Sequence, residues 1–79
     1  MREKQLRLVV AFHTTTAAMA IERYCNDNQI AGRLIPIPRE ITAGCGLAWS
    51  APITARADVE RAAAAVGAEI DGYYELMLP

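Results

Sequence analysis

The chain has 79 residues, 53% of them hydrophobic, which suits one domain with an apolar core and excludes a disordered segment. Eight basic and nine acidic side chains leave a net charge of −1, so no basic surface able to grip a phosphate backbone is expected and nucleic acid is not an expected partner. Two cysteines and one histidine are too few for a disulfide framework or an ordinary zinc site, and no apolar run reaches the ~18–20 residues of a membrane span.

The opening "MREKQLRLVVAFHT" lacks the long apolar region and small-residue cleavage site of a signal peptide, so a cytoplasmic location with free thiols is expected. "QLRLVVAF" (5–12) then alternates Leu6, Leu8, Val10 and Phe12 with Gln5, Arg7, Val9 and Ala11, the period of a strand. Its second face is only half polar, as a central strand requires. "HTTT" offers a helix start, with Thr14 or a neighbour accepting from a first-turn N–H. Ala18, Ile21 and Cys25 fall on one stripe of the helix that follows, and the polar "NDNQ" is expected to fray its end.

"RLIPIP" (33–38) reads as a strand whose two prolines, unable to donate to a ladder, belong at a sheet edge. The loop "REITAGCG" leads to a short strand "LAWSAP". "ARADVERAAAAVGAE" is helical by alanine content, with Gly67 placed to end it. "GYYELML" alternates again, predicting Tyr74, Leu76 and Leu78 inward and Tyr73, Glu75 and Met77 outward. The order β-α-β-β-α-β, over a single domain spanning residues 1–79, predicts an α+β ferredoxin-like split-βαβ sandwich with sheet order 4-1-3-2 and two helices on one face. The other face would then show Val9, Ala11, Ile35, Ile37, Tyr73 and Met77, interrupted by Arg7 and Glu75. An apolar patch of that extent predicts self-association as a homodimer.

In that topology the first helix begins at the sheet end where the loop 39–46 sits. Residues 13–16, with unpaired N–H groups and the positive end of the helix dipole, should border Cys45. The thiolate is the nucleophilic form of cysteine, and such surroundings favour it. Arg39 adds positive charge, while Gly44 and Gly46 leave the sulfur open and let the backbone turn N–H groups toward an anion. Cys45 is thus the candidate reactive thiol, to be alkylated well before Cys25, a small buried hydrophobe on the helix stripe. His13 reads equally well as a surface loop residue and as a proton carrier. No cofactor or metal site is expected.

Phe12, Thr14, Thr15, Ala18 and Glu22, the stretch Arg33-Leu34-Ile35-Pro36-Ile37-Pro38-Arg39, Ile41, and then Cys45-Gly46-Leu47-Ala48 resemble the selenium/sulfur (Se/S) carrier protein-like family. Members of that family read Pro-x-Pro-Arg, a few small or hydroxyl residues, then Cys-Gly. Thr42-Ala43-Gly44 stands here where serines are common. The resemblance implies a carrier rather than a turnover enzyme, with Cys45 holding sulfur or selenium as a persulfide or selenopersulfide. It would pass between a donor (cysteine desulfurase-like or selenium-delivery) and an acceptor protein. Three other classes stay open: a non-catalytic ferredoxin-like binding or regulatory module with Cys45 structural, a small thiol enzyme, and a copper chaperone. A thiol enzyme lacks an evident resolving cysteine, and a copper chaperone would need paired cysteines where this chain has "HTTT".

Overall fold

A computed structural model describes residues 3–41 and 45–78. The alternating apolar residues near the start form strand β1 (Gln5–Phe12), which lies in the middle of a four-stranded antiparallel sheet. It pairs with β3 (Leu47–Pro52) on one side and β4 (Ile70–Leu78) on the other, and β2 (Arg33–Pro36) is the edge strand beyond β3. Helices α1 (Thr15–Asp27) and α2 (Arg56–Val66) cover one face, the latter entered through a 3-10 turn at Ile53–Ala55. The order β2-β3-β1-β4 is that of the ferredoxin-like sandwich.

β2 ends at Pro36, two residues short of the proline-bounded stretch. Pairing nonetheless continues one step further, because the Ile37 N–H donates to the Gly46 carbonyl at 3.0 Å. α1 does not fray: Gln29 takes a left-handed conformation (φ 57°), which turns the Ile30 N–H onto the Cys25 carbonyl at 2.8 Å. Gly67 (φ 67°) closes α2 in the same manner, donating to Ala63.

The helix-side core joins Leu8, Val10, Phe12, Trp49 and Ala51 of the sheet to Ala18, Ile21 and Cys25 of α1 and Val59, Ala62 and Ala63 of α2. The many alanines on these helix faces let the helices come close to the sheet and to each other. Each fully buried Leu, Val, Ile or Phe contributes about 1.5–3 kcal/mol, so this layer dominates the stability of so small a domain.

The phase expected for β4 is reversed. Val10 pairs with Tyr73 and Leu8 with Glu75, so Tyr73, Glu75 and Met77 lie on the helix side and Tyr74, Leu76 and Leu78 on the other. On the helix side α2 meets this set, its Arg56 stacking its guanidinium over the Tyr73 ring at 5.1 Å and reaching Glu75 at 4.0 Å. β4 is an edge strand at the margin of the helix layer, so polar groups are tolerated there. A bulge at Asp71 then restores Ile70 to the helix side opposite Phe12.

The helix-free face is accordingly not the bare apolar surface expected from the pattern. Val9 and Ala11 are 0% exposed, packed in a second cluster with Ala48, Ile41, Ile35, Ile37, Leu76 and Leu78. The Tyr74 ring lies over Gly72, the partner of Ala11. Ile35, Ile37, Leu76 and Leu78 are only partly buried and Tyr74 is 37% exposed, so apolar surface remains on this face around the buried Val9 and Ala11.

Gly32 (φ 143°) supports the Trp49 indole: a Cβ there would lie 2.5 Å from Nε1, 2.6 Å from Cε2 and 2.8 Å from the Ser50 carbonyl oxygen. The indole N–H is buried without a partner among the described residues, so the ring is held by packing alone. Gly32→Ala is expected to cost about 2–3 kcal/mol through backbone strain and displacement of the ring. Gly67→Ala, where a Cβ would meet nothing within 4 Å, should cost only about 1 kcal/mol from its positive φ. Urea unfolding midpoints of the two variants check the order.

Candidate functional site

The chain leaves β2 through Pro36 and Pro38 and makes a tight turn in which the Ile41 N–H donates to the Pro38 carbonyl at 3.0 Å. Ile41 is 5% exposed and packs with Val9, Ala11 and Ala48 on the helix-free face. Cys45, four residues later, packs half-buried against the helix-side core. Ile41 and Cys45 thus lie on opposite faces of the sheet.

Gly46 has φ 76°, and a Cβ there would meet nothing within 4 Å. Glycine is required by the backbone conformation, not by crowding, and the space beside it is open. Gly44 lies outside the described residues, as do Thr42 and Ala43. The Cys45 thiol donates to the Leu47 carbonyl at 3.6 Å, the geometry of a weak S–H···O bond. That bond needs the thiol proton, so deprotonation breaks it.

α1 begins at the same end of the sheet as this loop, with Ala17 and Ala18 of its first turns in the core that Cys45 packs against. Thr14 is its N-cap, accepting from the Ala17 N–H at 3.1 Å, while the Ala18 N–H donates to the Thr14 carbonyl at 3.2 Å. Neither donor is among residues 13–16, the ones expected to face an anion. Thr15 and Thr16 carry the first-turn N–H groups that remain without a partner among the described residues. Arg39 is exposed and forms no ion pair or side-chain hydrogen bond with a described residue, so its charge reaches the loop only through solvent.

Cys25 is wholly buried, and burial pushes its thiol up, with the Asp58 carboxylate adding to the effect. His13 is exposed and pairs at 3.3 Å with Asp71, the residue of the β4 bulge. The sequence pattern carries no sign of that pairing, because the bulge appears only once β4 has a register. Nor does it reveal Ile41 as an anchor, since a lone isoleucine in a polar loop has no periodicity. Among the described residues no three His, Cys, Asp or Glu side chains are grouped to hold a metal ion, and no helix is long and apolar enough to cross a membrane.

The family model described as Putative Se/S carrier protein-like matches residues 7–75. The chain belongs to that family. No curated protein and no solved structure matches it significantly. The span matched to the Se/S carrier-like family contains Cys45 and every residue expected to support it: Thr14, Thr15, Arg39, Gly44 and Gly46.

Exposure separates the two thiols. Iodoacetamide at neutral pH should label Cys45 well before Cys25 in the native protein, and the preference should shrink in denaturant, as read by peptide mass. Cys25 also links stability to pH. Its folded value lies above that of the unfolded thiol, so its contribution is whole below about pH 8.5 and is lost as pH rises toward the folded value. Tyr73, raised first by burial and then by Glu60 against the opposing Arg56, acts with the same sign at higher pH. Cys25→Ala should remove the first part of the alkaline decline in unfolding free energy while leaving the part due to Tyr73.

Proposed function

We propose that this protein carries sulfane sulfur or selenium on Cys45, as a persulfide or selenopersulfide. The observation that supports the reading most is membership of the Se/S carrier-like family over a span that includes Cys45, the half-exposed one of its two thiols. In loading, the Cys45 thiolate attacks the outer sulfur of a donor cysteine persulfide. The donor S–S bond breaks, its electron pair leaves on the donor thiolate, and a new S–S bond forms at Cys45. Unloading repeats the exchange with an acceptor thiolate as nucleophile and Cys45 as leaving group. No net oxidation occurs, so neither cofactor nor turnover chemistry is required of this chain.

Both exchanges need the sulfur to be reached by two different proteins. The donor would be a cysteine desulfurase-like or selenium-delivery protein, and the exchange would take place in the reducing cytoplasm. A cysteine at a hairpin end, beside a glycine whose surroundings are open, suits such access. Arg39, exposed on the same loop, would meet an acidic partner surface, and Thr14 caps the helix that starts with Thr15 at the same end of the sheet.

One observation favours a second reading, a binding or regulatory module in which Cys45 only packs the hairpin: its thiol is bonded to the Leu47 carbonyl and touches the core. Intact mass after incubation with a cysteine desulfurase and cysteine separates the two. The wild-type chain should gain the mass of one sulfur atom, removable by dithiothreitol, and Cys45→Ser should gain none. Equal gain by both, or by neither, would return Cys45 to a packing role.

A further inference from the structure

The helix-free face carries a groove of about 480 Å³ that runs from Gln5, Arg7, Arg33 and Leu78 to Pro36 and Pro38, the prolines through which the chain enters the loop before Cys45. Its polar side is built by register. Arg33 on β2 is the direct cross-strand partner of Ser50 on β3, Ser50 is the partner of Val9, and Arg7 stands two residues before Val9 on the same face. The Arg7 Nε donates to the Ser50 Oγ at 3.3 Å, which turns the guanidinium along the sheet. Its outer nitrogens and the proton of the Ser50 hydroxyl then have no acceptor among the described residues. Ser50 itself is only 4% exposed.

The groove's charged lining residues are both arginines, and no carboxylate lines it among the described residues. Two like charges held over one concavity, in a chain whose net charge is −1, leave positive potential for an anion to neutralise. The remaining wall is apolar, with Ile35, Pro38 and Leu78. Its volume lies within the ~300–1,000 Å³ of small-molecule sites, and convergent polar groups on an otherwise apolar wall are what such sites share.

We infer that this groove binds a small organic carboxylate with an apolar body, its head between Arg7, Arg33 and the Ser50 hydroxyl and its hydrocarbon part on Ile35, Pro38 and Leu78. A guanidinium offers parallel N–H donors that match the two oxygens of a carboxylate, and a rigid proline-rich wall presents apolar surface at little entropic cost. Cys45 is not among its lining residues, and the proposal does not depend on the carrier reading.

Octanoate, octanol and inorganic phosphate, each titrated into the full chain with amide shifts followed by NMR, test the site. Octanoate should shift the amides of Arg7, Arg33, Ile35 and Ser50 saturably. Octanol and phosphate should each bind about tenfold more weakly, since one lacks the charge and the other the apolar body. Arg33→Gln, which alters an exposed side chain with no ion pair among the described residues, should weaken octanoate about tenfold and leave octanol unchanged. Arg7→Gln should do the same, and should it fail to fold the Arg33 variant carries the test. The proposal is overturned by shifts that do not saturate, by octanol or phosphate binding as tightly as octanoate, or by indifference to Arg33→Gln. Line broadening with protein concentration at the same amides would overturn it too, by showing that a second copy covers the groove.

Discussion

Leu8 through Phe12 are wholly excluded from water, every side chain of the central strand's second half on either face. Burial of both faces is the constraint on which the rest of this small fold rests. Two helices cover the side of Leu8, Val10 and Phe12. Among the described residues no helix packs over Val9 and Ala11. Ile41 from the β2–β3 loop, with Leu76 and Leu78 from β4, does that work. The loop that leads to Cys45 is thus part of the core's closure. Ile41 and the cysteine lie on opposite faces, so the two residues pack against opposite sides of the sheet that β1 centres.

Where the sequence was legible, a strong local pattern and the global fold agreed. The period of two in β1, the alanine-rich helix before Gly67 and the prolines of β2 each had one physical solution, and together they implied the ferredoxin-like order. β4 misled because alternation states that two faces differ without stating which faces the helices. Tyr74, Leu76 and Leu78 are the more apolar set, yet they cover Val9, while Tyr73 lies on the helix side beneath Arg56. A single-layer reading assigns the apolar set to the helices. A sheet whose two faces are both covered breaks that assumption, and only the pairing of Val10 with Tyr73 resolves it. The end of α1 was missed for a different reason: glutamine is not a residue expected in a left-handed closing turn.

The candidate site was legible in its parts and less so in its arrangement. The glycine after Cys45 does adopt the positive φ that its residue type suggests, and Thr14 does cap α1. The Leu47 carbonyl could not be foreseen, because backbone acceptors have no sequence signature. The same holds for the groove around Ser50. Arg7 was visible as an interruption of an apolar face, but its partnership with Arg33 and Ser50 arises from the register of three strands.

The S–H···O contact at Cys45 bears on how a carrier would have to work. The contact with the Leu47 carbonyl directs the sulfur along the hairpin. A neutral bond of this kind contributes about 1 kcal/mol or less, so it restrains the sulfur without committing it. Loss of the proton removes the attraction and sets a carbonyl oxygen against a negative sulfur, which would drive the side chain off Leu47 and outward. The Thr15 and Thr16 N–H groups at the start of α1 and the open space beside Gly46 are what the sheet end then offers an anion. The contact with Leu47 is also one that a cysteine packing the hairpin would make, so what distinguishes the two roles is the exchange chemistry and not the resting geometry.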